Sequence, residues 1–440
     1  MIVSHPTLVI AAPASGSGKT TVTLGMIRAF RDLNFSVTSA KVGPDYIDAG
    51  FHKIASHRSC INLDSWSMRE TLIDGLLIQG MRSSDLFIIE GVMGLFDGAM
   101  KSGSFGNGST ASIAKKIQAP VILIIDARSQ AQSVAALAKG FRDHDAGLNF
   151  AGVILNRVSS ERHAKLLTNS LESAGLTVFG VIPHLKELEL GSRHLGLVQA
   201  QEHRNIEKYI KQAAKIMSDC LNLNDIHRIA TSAKLKKQPL VSGLKPLGQR
   251  ISIAKDAAFS FIYPHVISSW RENGAEIFYF SPLQDERPAL HSDAIYLPGG
   301  YPELYAGKLA SNQNFLASLH EASINNVFIF GECGGYITLG DILIDKSGTR
   351  HKMAGLLPIE TTFEQRKLSL GYRKAITLDK TPFGPAGKTF RCHEFHYASV
   401  LTNTGNKLFK VEDGNATDLG LEGSQKNTVF GSFMHMIDYV

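Results

Sequence analysis

One short segment limits the fold of this chain more than any other. Residues 12–21 read Ala-Pro-Ala-Ser-Gly-Ser-Gly-Lys-Thr-Thr, directly after an apolar run at residues 8–10 and before a segment with helical periodicity. Glycines at such a junction let backbone N–H groups turn towards phosphate oxygens, and the start of the following helix adds partial positive charge. Because this loop works between a strand and a helix, the sequence predicts a nucleotide-binding α/β domain.

The loop also assigns tasks to single residues. We predict that Lys19 reaches the β- and γ-phosphates of ATP and that the hydroxyl of Thr20 ligates Mg²⁺. Pro13 stands where the strict consensus has glycine, which indicates a variant subclass of phosphate loops. The residues of this loop that we predict to bind ATP are Ser15, Gly16, Ser17, Gly18, Lys19, Thr20 and Thr21.

Short β-branched apolar runs recur through the first half and leave room for helices between them. This rhythm predicts an α/β fold with a doubly wound, mostly parallel sheet, because strands buried on both faces are continuously apolar. The helix after the loop is expected over residues 20–33, with apolar residues at three- and four-residue spacing. The strands are predicted at residues 8–10, 36–40, 86–89, 121–125, 152–155 and 178–182.

A polar stretch with several Lys, Pro and Gly residues interrupts this rhythm near residues 222–250. A second strand rhythm follows it, without evident repetition of the first. We therefore predict a P-loop domain over residues 1–225, a linker over 226–248 and a different α/β domain over 249–440. The strands of the second domain are expected at residues 251–254, 276–280, 294–297, 327–330, 372–378 and 429–433.

The composition argues against several classes of protein. The net charge is +6, but the lysines and arginines are scattered, so no nucleic-acid-binding stripe is predicted. No signal-peptide pattern and no run of about 20 apolar residues is present, so we expect a cytoplasmic protein that does not bind membranes. The four cysteines are far apart, which argues against a zinc site or a disulfide framework.

Acidic residues follow two of the predicted strands, at the edge where a doubly wound sheet presents metal ligands. Glu90 ends the third apolar run, and Asp97 lies on the glycine-rich loop behind it. Lys41, Asp45 and Asp48 follow the second run. We predict that Glu90 ligates Mg²⁺ and that the other residues lie near it at the same edge.

The second half contains the cysteine form of a nucleophile elbow. Cys333 follows a predicted strand at residues 327–330, in a tight turn flanked by glycines and before a predicted helix. Small neighbours permit this turn, the helix N-terminus should lower the pKa of the thiol, and the N–H of Gly334 can face an oxyanion. Gly300, which follows another strand, is the second predicted oxyanion donor. His435, after the last predicted strand, is the predicted general base.

Seven motifs follow one another along the chain, at residues 12–21, 43–48, 90–98, 192–197, 297–303, 331–336 and 393–397. Together they resemble the family of cobyrinic acid a,c-diamide synthases. In that family a dethiobiotin-synthetase-like ATP ligase domain is fused to a class I glutamine amidotransferase domain. The resemblance covers nearly the whole chain and implies a P-loop amidoligase domain followed by a class I glutamine amidotransferase-like α/β domain.

The resemblance implies amidation of the a and c carboxylates of cobyrinic acid through acyl phosphates, with ATP, glutamine and Mg²⁺, in cobalamin biosynthesis. It further implies that Asn156 recognises adenine. The implied metal ligands are Thr20, Asp48 and Glu90. The residues implied to bind the substrate are Lys41, Asp45, Tyr46, Asp97 and His396.

The chain departs from the family pattern at one position. Class I glutaminases carry an acid two residues after the histidine, where this chain has Ile437. We therefore expect a Cys333–His435 dyad, and a supporting role of Asp438 stays open.

Other substrates and another function also stay open. Sister enzymes act on hydrogenobyrinic acid or nickel sirohydrochlorin, and cobyric acid synthase acts on the a,c-diamide. A regulatory P-loop ATPase is a remote alternative, since such proteins usually carry a second lysine where this chain has Ala14. The expected partners are small molecules, with a homodimer left open.

Overall fold

The computed structural model describes residues 2–82, 84–188, 192–193, 196–197, 205–230, 232–236 and 243–440. Two compact units divide the chain. The first comprises residues 1–66 and 70–241, and the second comprises residues 67–69 and 242–440. Within the described residues no helix is both long enough and apolar enough to cross a membrane.

The first unit is built on a mostly parallel sheet. Its strands are β1 (Ile2–Ala11), β2 (Val37–Val42), β3 (Ile61–Leu63), β4 (Leu86–Glu90), β5 (Val121–Asp126), β6 (Phe150–Val158), β7 (Val178–Pro183), β8 (Ser192–Arg193), β9 (Gly196–Leu197) and β10 (Ser232–Lys236). The main sheet has the order β3-β2-β4-β1-β5-β6-β7 with parallel neighbours, and β10 pairs antiparallel with β1. Strands β8 and β9 form a separate antiparallel pair. The motif at 192–197 also includes residues 194–195, which lie outside the described residues.

Helices connect these strands. They are α1 (Lys19–Asp32), α2 (Ile47–Ser56), α3 (Glu70–Arg82), α4 (Thr110–Ile117), α5 (Ser133–Asp143), α6 (Glu161–Ser173), α7 (Ile206–Cys220) and α8 (Leu223–Ile229). Helix α1 begins directly after Gly18, whose φ of 90° suits glycine, and it buries Val22, Met26 and Phe30 against the sheet. The carboxyl ends of β1, β2 and β4 therefore meet the start of α1 at one edge of the sheet.

Each of the six apolar runs of the first half forms a strand, so the prediction of a doubly wound sheet is confirmed. Strand β3 has only three residues and was missed because so short a run carries no period. The segment predicted as a linker, 226–248, contains the end of α8 and all of β10. Backbone pairing with β1 forms β10, and side-chain periodicity does not report such pairing.

The second unit combines a parallel sheet with antiparallel ones. Its helices are α9 (Pro264–Glu272), α10 (Ala306–Ser311), α11 (Gln313–Ile324) and α12 (Gly334–Leu339). Its strands are β11 (Arg250–Ala254), β12 (Glu276–Phe280), β13 (Ala294–Leu297), β14 (Phe328–Glu332), β15 (Ile342–Ile344), β16 (Arg350–Lys352), β17 (Ile359–Thr362), β18 (Ser369–Thr377), β19 (Thr389–His396), β20 (Ser399–Asn403), β21 (Phe409–Asp413), β22 (Asp418–Glu422), β23 (Ser424–Lys426), β24 (Val429–Ser432) and β25 (Met434–Tyr439).

The sheet order of this unit brings distant segments together. One sheet runs β12-β11-β13-β14-β24-β23, a second β22-β21-β18-β19-β25 and a third β16-β15-β17-β20. Cys333 follows β14, and Gly300 lies in the loop after β13, the neighbouring parallel strand. His435 was expected after the last strand, but it lies inside β25, where it pairs with His393 of β19. The apolar run at residues 429–433 predicted β24 but not β25. Strand β25 forms because its backbone pairs with β19.

Candidate active sites of the two units

The phosphate loop lies between β1 and α1, and backbone carbonyl oxygens bind the side chain of its lysine. Gly16 and Gly18 have φ angles of 77° and 90°, which suit glycine. The ammonium of Lys19 donates to the carbonyl oxygens of Met93, at 2.5 Å, and Ala14, at 3.3 Å. Burial, and next the charge of Lys41, lower the pKa of Lys19 to about 8.

The three residues predicted to ligate Mg²⁺ lie together. Thr20 Oγ1 donates to Glu90 Oε1 at 2.7 Å and lies 3.3 Å from Asp48 Oδ2. Two carboxylates and a hydroxyl are oxygen donors of the kind that Mg²⁺ takes alongside waters and phosphates. Among the described residues no group of three or more His, Cys, Asp or Glu side chains is placed to hold a metal ion. An ion here would therefore need further ligands from water or phosphate.

Two buried basic side chains surround Glu90. Lys41 Nζ lies 2.7 Å from Glu90 Oε1 and 2.5 Å from Asp48 Oδ2. His52 Nε2 lies 2.6 Å from Glu90 Oε2. Burial alone would raise the pKa of Glu90, but Lys41 and His52 outweigh it and hold that pKa well below its ordinary value. Glu90 is therefore a carboxylate at neutral pH.

His52 is a site residue that the sequence reasoning missed. It is fully buried on α2 in an apolar helical pattern, so it resembles a core residue. Its position four residues after Asp48, on the same helix face, was the available signal. Burial opposes protonation of His52, but Cys60 and Glu90 raise its pKa to about 10. His52 thus adds a second positive charge beside Glu90.

The other predicted substrate-binding residues of the first unit hold nearby turns. Asp45 Oδ1 accepts the N–H groups of Ile47 at 2.7 Å and of Asp48 at 3.1 Å, so it holds the turn that leads into α2. Burial, and next the charge of Asp48, raise the pKa of Asp45 to about 7. Tyr46 directly precedes α2. Asp97 Oδ2 accepts the N–H of Gly94 at 2.8 Å within its own loop.

Asn156 lies inside β6 rather than at its end, and it contacts the phosphate loop. Its Nδ2 donates to the carbonyl oxygen of Ser17 at 2.9 Å. A Cβ atom on Gly18 would stand 2.3 Å from that nitrogen, so only glycine fits there. Gly18, Thr21 and Asn156 also line a small cavity beside the loop. Asn156 is therefore placed where it braces the loop and borders this cavity.

In the second unit, Cys333 forms a strained turn between β14 and α12. Its φ of 48° and ψ of −101° are unusual for a non-glycine residue. The Sγ atom donates to the carbonyl oxygen of Phe395 at 3.6 Å. The expected lowering of the thiol pKa is wrong for this structure, because Cys333 is only 3% exposed and burial, with Glu303, raises that pKa. The thiol therefore needs a base.

His435 stays the predicted base for this thiol. It is fully buried, and burial, with the nearby His393 and His396, lowers its pKa to about 3. The ring is therefore neutral and can accept a proton. A Cβ atom on Gly299 would lie 2.3 Å from Cε1 of His435, so the glycine loop packs directly against the ring.

The two predicted oxyanion donors are neighbours. A Cβ atom on Gly334 would lie 3.0 Å from the backbone nitrogen of Gly300. Gly300 itself has no room for a side chain, since a Cβ there would lie 2.0 Å from the carbonyl oxygen of Ala258. The backbone of Gly300 therefore lies next to the Cys333 elbow, and the role of both glycines as oxyanion donors stays a prediction.

Glu332 is an acid close to His435 that the sequence reasoning missed. Asp438 accepts hydrogen bonds from Arg69, a residue of the same unit, through the backbone N–H at 2.8 Å and through Nε and Nη2 at 3.0 Å each. Glu332 instead lies with Oε2 3.8 Å from Nδ1 of His435. Its place directly before Cys333 was the only signal in the sequence.

His396 lies in the second unit, whereas the other residues implied to bind substrate belong to the first. Its Nε2 is 2.8 Å from Glu394 Oε1, and its Nδ1 is 3.0 Å from the carbonyl oxygen of Ala398. The ring stacks on Phe433 with 3.9 Å between centroids. Lys41, Asp45, Tyr46 and Asp97 are all in the first unit.

Family models match both halves of the chain. Residues 8–198 match the CobQ/CobB/MinD/ParA nucleotide binding domain. Residues 250–438 match the CobB/CobQ-like glutamine amidotransferase domain. The predictions of a nucleotide-binding P-loop domain and of a glutamine amidotransferase domain after it are therefore confirmed.

Curated relatives match over nearly the full length. A hydrogenobyrinate a,c-diamide synthase of Brucella anthropi is 46% identical, with 98% of each chain covered. The enzyme of that name from Rhizobium meliloti is 45% identical over 98% of this chain and 99% of its own. The one from Mesorhizobium japonicum is 44% identical over 98% of both.

Proposed function

Because the chain belongs to the family of hydrogenobyrinate a,c-diamide synthases, we propose that it amidates the a and c carboxylates of a corrinoid acid in cobalamin biosynthesis. The chain is a glutamine-hydrolysing ligase. One observation supports the proposal. A single chain that matches these relatives over nearly its full length contains both the Thr20–Glu90 pair at the phosphate loop and the strained turn at Cys333. The names of the relatives favour hydrogenobyrinic acid over the cobyrinic acid that the sequence motifs implied.

The first unit would activate the carboxylate. The phosphates of ATP would lie on the N–H groups of the phosphate loop, with Lys19 at the β- and γ-phosphates. Thr20, Asp48 and Glu90 would hold Mg²⁺, which would neutralise part of the phosphate charge. A substrate carboxylate oxygen attacks the γ-phosphorus, ADP leaves, and an acyl phosphate forms. Ammonia then attacks the acyl carbon and releases inorganic phosphate, which leaves an amide.

The second unit would supply the ammonia. The neutral ring of His435 accepts the proton of the Cys333 thiol, and the sulfur attacks the side-chain amide carbon of glutamine. Gly300 and Gly334 donate their N–H groups to the oxyanion that forms. The C–N bond breaks, the nitrogen takes the proton from His435, and ammonia leaves. Water then hydrolyses the thioester to glutamate and regenerates the thiol.

Mass spectrometry of reaction products tests the proposed substrate. The full chain is incubated with ATP, Mg²⁺ and glutamine, together with hydrogenobyrinic acid, cobyrinic acid or nickel sirohydrochlorin in separate reactions. Each amidation replaces a hydroxyl with an amino group, so we expect two successive mass losses of that size in hydrogenobyrinic acid. A further reaction contains the a,c-diamide, and turnover of this compound but not of hydrogenobyrinic or cobyrinic acid would indicate a cobyric acid synthase. ATP hydrolysis that no corrinoid alters would contradict a ligase and favour a regulatory ATPase.

A further inference from the structure

We propose that Glu332 is a positioning residue of the glutaminase site, whose carboxylate fixes the imidazole of His435 for proton transfer from Cys333. The inference rests on the glutaminase chemistry of the proposed function. Class I glutaminases carry an acid two residues after the histidine, where this chain has Ile437. Glu332 would take the role of that acid from another position in the sequence.

Two hydrogen bonds set the position of this carboxylate. Tyr296 Oη donates to Glu332 Oε2 at 2.6 Å, and the backbone N–H of Met436 donates to Glu332 Oε1 at 3.1 Å. The same Oε2 lies 3.8 Å from Nδ1 of His435. Glu332, Tyr296 and His435 are all buried. The carboxylate is therefore held beside the ring by its own partners.

The chain connectivity joins this carboxylate to both reacting residues. Glu332 ends β14 and immediately precedes Cys333, the nucleophile. Met436 immediately follows His435 in β25, which belongs to a different sheet. The bond from Met436 to Glu332 thus links the residue next to the base with the residue next to the nucleophile. This link restricts how far the imidazole can move from the thiol.

Glu332 can be a carboxylate beside His435 at neutral pH. Burial raises the pKa of Glu332 to about 7, and the hydrogen bonds from Tyr296 and Met436 oppose that rise. When His435 takes the proton of Cys333, an imidazolium forms in a buried site. A carboxylate on the Nδ1 side of the ring stabilises that cation. Glu332 accepts a hydrogen bond on each oxygen, from Tyr296 on Oε2 and from Met436 on Oε1. A glutamine side chain has only one acceptor oxygen, so this pair of donors suits a carboxylate better than a neutral amide.

The test compares two acids near His435 in the full-length protein. Glu332→Gln keeps the shape and one of the two acceptor oxygens but removes the charge, and Asp438→Asn is its matched control because Asp438 is bound to Arg69. For E332Q we expect kcat for glutamine hydrolysis to fall about 100-fold, the size of a general-base contribution, with KM for glutamine nearly unchanged. Amidation with free ammonium should keep its rate. D438N should keep its kcat for glutamine, and E332D should recover part of the loss.

Several results would overturn the inference. A wild-type kcat in E332Q, or a larger loss in D438N than in E332Q, would remove Glu332 from this role. An equal loss of glutamine-dependent and ammonium-dependent amidation would show that Glu332 only supports the fold. If E332Q did not fold, Tyr296→Phe, which removes one of the two anchors, must lower kcat for glutamine hydrolysis and leave KM unchanged. Glutamate release reports on the glutaminase even if no corrinoid is amidated, so failure of the proposed substrate is a separate outcome.

Discussion

Lys41 and Glu90 form an ion pair in the interior of the first unit, with 2.7 Å between Nζ and Oε1. Glu90 is fully buried, and its other oxygen binds His52. Removing one partner of a buried pair leaves an uncompensated charge, which costs more than the loss of a surface pair. The residues predicted to hold Mg²⁺ are therefore also part of what keeps this unit folded, and variants must be examined for both properties.

Replacing Glu90 with Gln should impair both catalysis and stability. The amide leaves Lys41 and His52 without their shared anion, so we expect the free energy of unfolding to fall by about 3 kcal/mol. ADP release should fall at least about 100-fold, because a metal ligand is lost. Chemical denaturation and an ADP assay measure the two effects. As a control, Asp143→Asn removes an exposed carboxylate and should change neither quantity. Unchanged ATP turnover in a folded E90Q protein would exclude Glu90 from the metal site.

The pKa of Lys19 predicts how ATP use depends on pH. Burial and Lys41 place that pKa at about 8 in the free protein, below the ordinary 10.5 of lysine. The ammonium is charged below this pH and neutral above it, so attraction to phosphates weakens as the pH rises through 8. We expect kcat/KM for ATP, measured with ammonium as nitrogen source, to decline above about pH 8. In Lys19→Met the value should be low and should lack this decline. A wild-type profile that stays flat up to pH 10 would contradict the proposed role.

Replacing Cys333 with Ser should separate the two chemistries. Serine is a poorer nucleophile than cysteine, so glutamine-dependent amidation should be abolished. Amidation with free ammonium should remain, because the phosphate loop and its carboxylates are untouched. Cys220→Ser, in the other unit, is the matched control and should keep both activities. If C333S lost both nitrogen sources equally, the assignment of glutamine hydrolysis to the second unit would be wrong.

Gly299 should tolerate no side chain. A Cβ atom there would meet Cε1 of His435 at 2.3 Å, so Gly299→Ala must displace the ring. We expect kcat for glutamine hydrolysis to fall at least about 100-fold, the general-base contribution, with ammonium-dependent amidation retained. Gly307→Ala, where the nearest atom is at 3.6 Å, should leave the rate of glutamine hydrolysis unchanged. Equal rates of glutamine hydrolysis in the two variants would show that the ring can move without loss.

The sequence predicted the fold correctly where a buried strand is a continuous apolar run. Residues 86–89 and 121–125 are fully buried strands, and their continuous apolar runs predicted them correctly. Strand β25 was missed because it interleaves His435 and Asp438 with apolar residues, and neither of these polar side chains is exposed. Pairing with β19 explains that strand, and such pairing has no local signature.

Site residues could be predicted from the sequence where they belong to a motif with a known chemical role, as Lys19 and Cys333 do. His52 and Glu332 were not found because their roles depend on contacts across long stretches of sequence. His52 contacts Glu90, 38 residues later, and Glu332 accepts a bond from Met436, 104 residues later. A single sequence shows that a polar residue lies in an apolar pattern, but not which partner meets it in the folded protein.

The burial of Cys333 affects how the resting enzyme survives oxidants. Peroxides react with thiolates far faster than with thiols, and a buried, protonated sulfur offers them little. Burial keeps the Cys333 thiol protonated at neutral pH. We therefore expect peroxide to convert Cys333 of the resting protein to sulfenic acid only slowly.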